Sequence, residues 1–171
     1  RSHQMIYQIL NGGNADRCRF AGDETALKLH HIGYLVKNIE KSIRAFQALG
    51  YMPFSLLGRE GSIVYDAGRQ CDIVFLKHIK SLRENYIELI EPKTKESPIY
   101  SLMKIYKNTP YHLCFQCADL DAEIETLKDF GWTVFHIPEP APAIGGRMVV
   151  FLVHHCAGII ELVDGTWKIY A

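Results

Sequence analysis

The sequence has no excess of charge of either sign and no long apolar run. It contains 19 Lys and Arg residues against 19 Asp and Glu residues, so its formal net charge is zero. Balanced charge gives no global field that would favour nucleic acid or an anionic membrane as a partner. No stretch approaches the roughly 20 apolar residues that span a bilayer, and residues 1–19 lack the apolar segment of a signal peptide. We therefore predict a cytoplasmic protein that binds neither nucleic acid nor membrane.

Cysteine is also sparse. The chain has five cysteines, an odd number at irregular spacing, which argues against a disulfide framework and for a reducing compartment. Cys114 and Cys117 have the Cys-x-x-Cys spacing of a redox or zinc pair. They stand in an apolar strand, however, where residues three apart point to opposite faces. We predict that both are small buried apolar residues.

The length sets the scale of the fold. A chain of 171 residues with 48% apolar and 22% charged residues can bury the core of one domain or of two small fused modules. We expect Met5 to be the natural start, with residues 1–4 left from cloning. Residues 1–28 then form an N-terminal extension with one short strand from Met5 to Leu10.

Within the remainder, the chain repeats itself. Residues 29–36 (LHHIGYLV) correspond in character to residues 110–117, which places His31 over His112 at an offset of 81. Towards the end of each repeat, residues 85–91 correspond to residues 158–164, which places Glu88 over Glu161. Each repeat therefore opens on a strand that carries a histidine and closes on a strand that carries a glutamate.

The order of predicted elements is β-α-β-β-β in each repeat, with one fewer strand evident in the second. Asn38 is the predicted N-cap of the first helix, and Gly50 ends it. We predict an α+β fold with a first module (residues 29–92), a connecting helix (93–110) and a second module (111–171). Repetition of a whole unit implies pseudo-twofold symmetry. The two βαβββ modules should then form a curved, barrel-like mixed sheet around a metal site.

Local residue patterns predict the remaining strands and the connecting helix. In the first module, residues 51–57 and 62–65 are predicted strands. In the second module we predict a strand from Trp132 to His136, followed by a stiff loop over Pro138, Pro140 and Pro142. The connecting helix should run from residue 98 to residue 107, since Pro is favoured in the first turn of a helix.

Four residues stand at the two pairs of equivalent positions: His31, Glu88, His112 and Glu161. Singly, a histidine in an apolar strand is usually a core residue, and a buried glutamate is costly. Brought to one axis, two imidazoles and two carboxylates would need a divalent cation to compensate them. Nitrogen and oxygen donors without thiolate suit Zn, Ni, Co, Mn or Fe(II). An octahedral ion would keep two positions for water or substrate, which fits Lewis-acid chemistry.

A family resemblance adds to this interpretation. Six segments carry the resemblance, at residues 29–43, 87–92, 96–99, 111–115, 150–152 and 158–162. They resemble the vicinal oxygen chelate superfamily, which includes glyoxalase I and methylmalonyl-CoA epimerase. Their order and spacing are most similar to the epimerase branch, and the resemblance spans about residues 29–165. It implies paired βαβββ modules and a divalent metal held by His31, Glu88, His112 and Glu161. Many members pair into homodimers, and the apolar helix faces would allow this here.

The resemblance also implies a reaction, namely removal of a proton beside the carbonyl of a thioester or hemithioacetal. In the epimerases a glutamate in a Glu-x-Gln-Gly setting serves as a base. The corresponding residues 64–71 (VYDAGRQC) contain no glutamate, and Asp66 is the nearest carboxylate. Glu161 could be both ligand and base, as a liganding glutamate is in glyoxalase I. The candidate catalytic residues are therefore Glu161 and Asp66.

Other polar residues have weaker claims on the site. His30 should point to the face opposite His31 and have a structural role. His154 and His155 are either substrate contacts at the mouth of the cavity or surface residues. Arg69 and Arg147 could pair with an anionic group of a ligand.

Several functions remain open on the sequence. The first is a metal-dependent isomerase acting on a thioester, similar to methylmalonyl-CoA epimerase, and the second is a lactoylglutathione lyase of the glyoxalase I type. A metal-free small-molecule binding or resistance protein would have no reason to keep all four candidate ligands. An extradiol dioxygenase binds iron through two histidines and one carboxylate. A ligand set that contains Glu88 as well as Glu161 has a second carboxylate and does not match it.

Overall fold

The computed structural model describes residues 27–55, 63–80 and 86–165. The predicted N-terminal extension, with its strand from Met5 to Leu10, lies almost wholly outside the described residues. Among those that are described, no α-helix combines the length and the apolar character that a membrane crossing requires.

Nine strands and three α-helices make up the described fold. The first module contains β1 (Lys28–Leu35), α1 (Ile39–Gln47), β2 (Tyr51–Phe54), β3 (Val64–Asp66), β4 (Cys71–His78) and β5 (Tyr86–Pro92). The connection contains α2 (Tyr100–Tyr106), which is shorter at both ends than the predicted helix. The second module contains β6 (Thr109–Cys117), α3 (Leu120–Lys128), β7 (Thr133–Ala141), a 3-10 turn (Pro142–Ile144), β8 (Arg147–His154) and β9 (Gly158–Asp164).

All nine strands belong to one mixed sheet. Its order is β2-β4-β5-β1-β6-β9-β8-β7, and β3 also pairs with β4. β1 pairs with β5 and β6 with β9 in parallel, and the two modules join where β1 pairs with β6 in antiparallel fashion. The strand order is therefore symmetric about the β1–β6 junction. Over the described residues, β2 and β7 do not pair with each other, so the sheet is curved without closing into a barrel. The predicted α+β class with paired modules is confirmed.

The two long helices begin and end in the same way. Asn38 and Asp119 are their N-caps, and each side chain accepts a hydrogen bond from the backbone N–H three residues on, at 2.8 and 3.0 Å. Shortly after each helix, Gly50 and Gly131 adopt a φ of +85°, which glycine tolerates best. These four residues keep the sequence offset of 81, so the symmetry predicted from the repeat extends to the helix ends.

The sheet buries its two faces differently. The inner face carries one apolar cluster to which both modules and α2 contribute, and Cys114 belongs to it. The outer face carries two separate clusters, one under α1 and one under α3, and Cys117 belongs to the latter. Both thiols are buried on opposite faces, as predicted.

The second module departs from prediction at β7. This strand continues past His136 to Ala141, through Pro138 and Pro140, where we expected a stiff loop. Proline is tolerated because β7 pairs with β8 alone among the described strands and so forms an edge of the sheet. Two register shifts, before and after His136, accommodate the irregular backbone. β7 thereby takes the place that β2 and β3 share in the first module.

Candidate metal centre

The four predicted ligands come from the four central strands of the sheet. His31 lies on β1, Glu88 on β5, His112 on β6 and Glu161 on β9. All four side chains lie on the inner face, and no residue of the four is more than 7% exposed. The structure brings together residues that are up to 130 positions apart in the chain (161 − 31).

Their donor atoms converge on one point. His31 Nε2 lies 3.1 Å from Glu88 Oε2, 3.0 Å from Glu161 Oε2 and 3.1 Å from His112 Nε2. His112 Nε2 lies 3.3 Å from Glu161 Oε2 and 3.6 Å from Glu88 Oε2. Donor atoms about 2.1 Å from one ion would stand about 3.0 Å apart in octahedral and about 3.4 Å apart in tetrahedral coordination. The separations therefore match the spacing of ligands around a single divalent cation.

One buried oxygen gives a further indication that a cation fits here. Glu161 Oε2 is not well aligned for a hydrogen bond with any described residue, although ring nitrogens of His31 and His112 lie 3.0 and 3.3 Å from it. A buried carboxylate oxygen without a hydrogen bond is costly. A divalent cation at the centre of the group would satisfy it, so the donor set fits a metal.

The charge state of Glu161 suits this role. Burial alone would raise its pKa, but the imidazoles of His112 and His31 outweigh burial and hold the pKa of Glu161 well below its usual range. The carboxylate is therefore ionised at neutral pH, which is the form that binds a metal or accepts a proton.

The position of His112 depends on a glycine in the neighbouring strand. In the β1–β6 pairing Gly33 lies opposite His112, and His31 lies opposite Cys114. A Cβ atom added at Gly33 would lie 2.1 Å from His112 Cε1, which is an impossible contact. Gly33 thus makes room for the imidazole, a role that the sequence did not reveal.

His30 does not point to the opposite face, so that prediction is wrong. Its Nδ1 lies 2.7 Å from His31 Nδ1, and its side chain is buried in the core. The reason is a register shift between Leu29 and His31 in the pairing with β6, which breaks the alternation of side chains. Burial, helped by the adjacent His31, lowers the pKa of His30 to about 3, so the ring is neutral. If His31 binds a cation through Nε2, its Nδ1–H donates to His30 Nδ1.

Asp66 is not part of the group of four. Its Oδ1 accepts the backbone N–H of Arg69 at 3.1 Å, and its Oδ2 accepts from Arg69 Nη1 at 2.8 Å. Arg69 Nη2 in turn lies 2.5 Å from Glu139 Oε1, across the cleft on β7. Burial alone would lower the pKa of Arg69, but the carboxylates of Glu139 and Glu161 outweigh burial and raise it. The guanidinium is therefore a fixed positive charge near the candidate ligands.

Two adjoining cavities lead to the group. The inner cavity, about 10 Å³, has room for about one water-sized group and is lined in part by Glu88 and Glu161. The outer cavity is mainly apolar, with Pro98, Leu102 and Phe135 among its lining residues. Four residues line both cavities and so mark the passage between them: Arg69, Ile99, Tyr111 and Phe151.

Sequence reasoning missed Tyr111 and Phe151 as site residues. The sequence holds a signal for Tyr111, which directly precedes His112, whereas Phe151 is placed by its pairing with Glu161 across β8 and β9. The candidates His154 and Arg147 lie outside the group of four. His154 packs on Trp132, with ring centroids 5.3 Å apart, and Arg147 Nε lies 3.9 Å from Asp164 Oδ1.

Comparisons with known structures agree with this fold. A hypothetical protein from Bacillus halodurans is 22% identical with a TM-score of 0.69, over 85% of this chain and 99% of that one. Methylmalonyl-CoA epimerase from Mycobacterium tuberculosis is 19% identical with a TM-score of 0.68, over 88% and 95% of the two chains. A Streptomyces coelicolor methylmalonyl-CoA epimerase in complex with 2-nitronate-propionyl-CoA is 22% identical with a TM-score of 0.66, over 82% and 96%.

Comparison with curated protein sequences gives no match. The family profile described as the glyoxalase/bleomycin resistance protein/dioxygenase superfamily matches residues 30–151, well over half of the chain. This match and the epimerase neighbours agree with the resemblance seen in the sequence. The chain belongs to the glyoxalase/bleomycin resistance protein/dioxygenase superfamily, the vicinal oxygen chelate proteins.

Proposed function

We propose that the protein is a metal-dependent isomerase that removes and returns a proton beside a thioester carbonyl, in the manner of a methylmalonyl-CoA epimerase. The observation that carries this proposal is the convergence of His31, Glu88, His112 and Glu161, among whose donor atoms five pairs lie 3.0 to 3.6 Å apart. The likeness to epimerases that act on CoA thioesters supports the choice of substrate class.

The chain's own residues divide the work. His31, Glu88, His112 and Glu161 would hold the cation, and two charges from the glutamates would balance it. A bound divalent cation supplies Lewis acidity, which makes the hydrogen beside a coordinated carbonyl easier to remove. Glu161 is ionised and faces the inner cavity, so it is our candidate to accept that proton and return it. The apolar walls of the outer cavity keep water away from the reacting carbon.

Asp66 has a different role in this proposal. Both of its oxygens accept hydrogen bonds from Arg69, and it is buried. A carboxylate held in this way is poorly suited to accept a proton from a substrate. We assign Asp66 to the positioning of Arg69.

The experiment combines metal content with proton exchange. Elemental analysis of the purified protein should find about one divalent ion per chain. The metal-loaded protein should then exchange the α-proton of methylmalonyl-CoA for deuterium in D₂O, followed by mass spectrometry. His112→Ala is the matched control, because it removes one donor from the candidate site and should lose both metal and exchange.

Each outcome distinguishes the open functions. Stoichiometric metal without thioester exchange would reject the isomerase proposal and leave a lyase acting on methylglyoxal hemithioacetal as the next reaction to assay. Dependence on iron and molecular oxygen would indicate a dioxygenase. Absence of metal after reconstitution would indicate a small-molecule binding protein.

A further inference from the structure

We propose that Arg69 binds a carboxylate of the substrate and so selects substrates that carry a second anionic group. Until such a substrate binds, Glu139 is the carboxylate that pairs with Arg69. The inference deepens the proposed function, since it names a feature of the substrate. It rests on the position of Arg69, on the way its two ends are held, and on the difference between its two carboxylate partners.

Arg69 stands where a substrate must pass. Its side chain lines both the outer apolar cavity and the inner cavity that contains Glu88 and Glu161. The guanidinium carbon lies 5.6 Å from the centre of the Phe151 ring, so one face of the group packs on an aromatic wall. A ligand whose carbonyl reached the group of four would therefore bring its neighbouring atoms close to Arg69.

One side of Arg69 is held firmly. Asp66 accepts from both its backbone N–H and its Nη1, and the Ser97 hydroxyl donates to its carbonyl oxygen at 2.6 Å. Asp66 and Ser97 are each only 3% exposed. Because these contacts are buried, they fix the turn between β3 and β4. The guanidinium therefore keeps its place when Glu139 leaves.

The other side of Arg69 is held by a partner that water reaches more easily. Nη2 lies 2.5 Å from Glu139 Oε1, an ion pair without a well-aligned hydrogen bond between described residues. The Glu139 side chain is 27% exposed, against 4% for the Asp66 side chain. Glu139 can therefore turn towards water, where its charge is solvated, whereas Asp66 cannot. A substrate carboxylate would then take the place of Glu139 on Nη2.

The exchange conserves charge. Arg69 and Asp66 cancel each other, and the two candidate glutamate ligands cancel a divalent cation. Glu139 then leaves the cleft with one negative charge as the substrate carboxylate brings one in. With an uncharged acyl group, Arg69 would stay paired with Glu139. Arg69 would then contribute nothing to the binding of that substrate.

The test measures binding of methylmalonate, which has two carboxylates, and of propionate, which has one. Isothermal titration of the metal-loaded protein gives both dissociation constants for wild type, Arg69→Gln, Glu139→Gln and the control Arg44→Gln, which alters an exposed residue of α1. Arg69→Gln should weaken methylmalonate binding about 10- to 100-fold. Glu139→Gln should strengthen it about 3-fold or more, because the competing carboxylate is gone. Propionate has one carboxylate for two anion sites, the cation and Arg69, so its affinity should change less than that of methylmalonate in both variants.

Two results would overturn the inference. One is equal affinity of wild type and Arg69→Gln for methylmalonate, and the other is a loss of affinity in Glu139→Gln. If Arg69→Gln does not fold, Glu139→Gln alone tests the inference, because misfolding cannot explain a gain in affinity.

The same proteins separate this inference from the proposed reaction. Arg69-dependent binding of methylmalonate without exchange in any thioester would reject the reaction and keep the carboxylate site. Equal exchange rates with methylmalonyl-CoA and propionyl-CoA would keep the reaction and reject the carboxylate site.

Discussion

The two modules present the same pair of donors but hold them by different contacts. In the first module, His31 is in hydrogen-bond contact with the neighbouring ring of His30. In the second module, Tyr111 takes the position of His30, and His112 Nδ1 has no hydrogen-bond partner among the described residues. His112 is instead confined by the bare backbone of Gly33.

The two modules also differ in the turn between β3 and β4 and in its counterpart between β7 and β8. The turn between β3 and β4 carries Arg69, while the equivalent turn between β7 and β8 contains the 3-10 segment Pro142–Ile144 followed by two glycines. Glu139 on β7 lies opposite Val149, and the equivalent position of the first module is Val64 opposite Ile73. Symmetry thus governs the candidate metal ligands, and asymmetry governs the residues that would face the substrate.

The largest effect should separate the two glutamates. Glu161→Gln and Glu88→Gln remove equivalent donors, so both should weaken metal binding. If Glu161 is also the base, then at saturating metal Glu161→Gln should slow α-proton exchange by about 100- to 10,000-fold, and Glu88→Gln should slow it much less. The measurement is deuterium exchange into methylmalonyl-CoA at several metal concentrations. Equal losses in the two variants would assign no special role to Glu161.

The next effect should separate Gly33 from its counterpart Cys114. Gly33→Ala places a methyl group on the His112 ring and should reduce metal affinity by about 100-fold, the upper end of the range for residues outside the ligand set. Cys114→Ala removes a buried thiol that lies beside His31 and Glu161 but adds no atom, so it should reduce the affinity less than Gly33→Ala does. Competition with a chromogenic chelator measures both, and circular dichroism checks the fold. Unchanged affinity in Gly33→Ala would show that His112 is not a ligand in this position.

A smaller effect should separate His30 from Tyr111. His30→Phe removes the acceptor for His31 Nδ1–H, and such outer partners typically contribute about 10- to 100-fold in metal affinity. Tyr111→Phe keeps the ring beside His112 and should have little effect on affinity. The same chelator competition applies to both variants. Equal affinities for all three proteins would mean that the His30–His31 contact does not orient the ligand.

The smallest effect concerns the helix caps, where the modules should behave alike. Asn38→Ala and Asp119→Ala each remove one side-chain hydrogen bond to a helix N-terminus, which typically lowers the free energy of unfolding by about 1 kcal/mol. Asp119→Ala should cost slightly more, because the carboxylate also interacts with the helix dipole. Urea denaturation monitored by circular dichroism gives both values. A difference well above 1 kcal/mol would show that the caps are not equivalent.

Much of the fold could be predicted because corresponding positions of the two repeats carry residues of similar character. The offset of 81 aligned His31 with His112 and the caps with each other, and symmetry then required the four donors to meet. Three features escaped prediction for physical reasons. The side of His30 depends on a register shift between strands, the path of β7 through two prolines depends on its place at the sheet edge, and the pairing of Arg69 with Glu139 depends on how far the sheet curves. Each is a tertiary property that local sequence does not encode.

The contact between His112 and Gly33 also has an entropic consequence. A side chain that is free in the folded protein must lose rotamer freedom when it binds a ligand, at a cost of up to about 1.5 to 2 kcal/mol. The backbone of β1 already confines the His112 ring within the folded sheet. This ordering therefore takes place during folding, so a cation that bound afterwards would not have to restrict the ring.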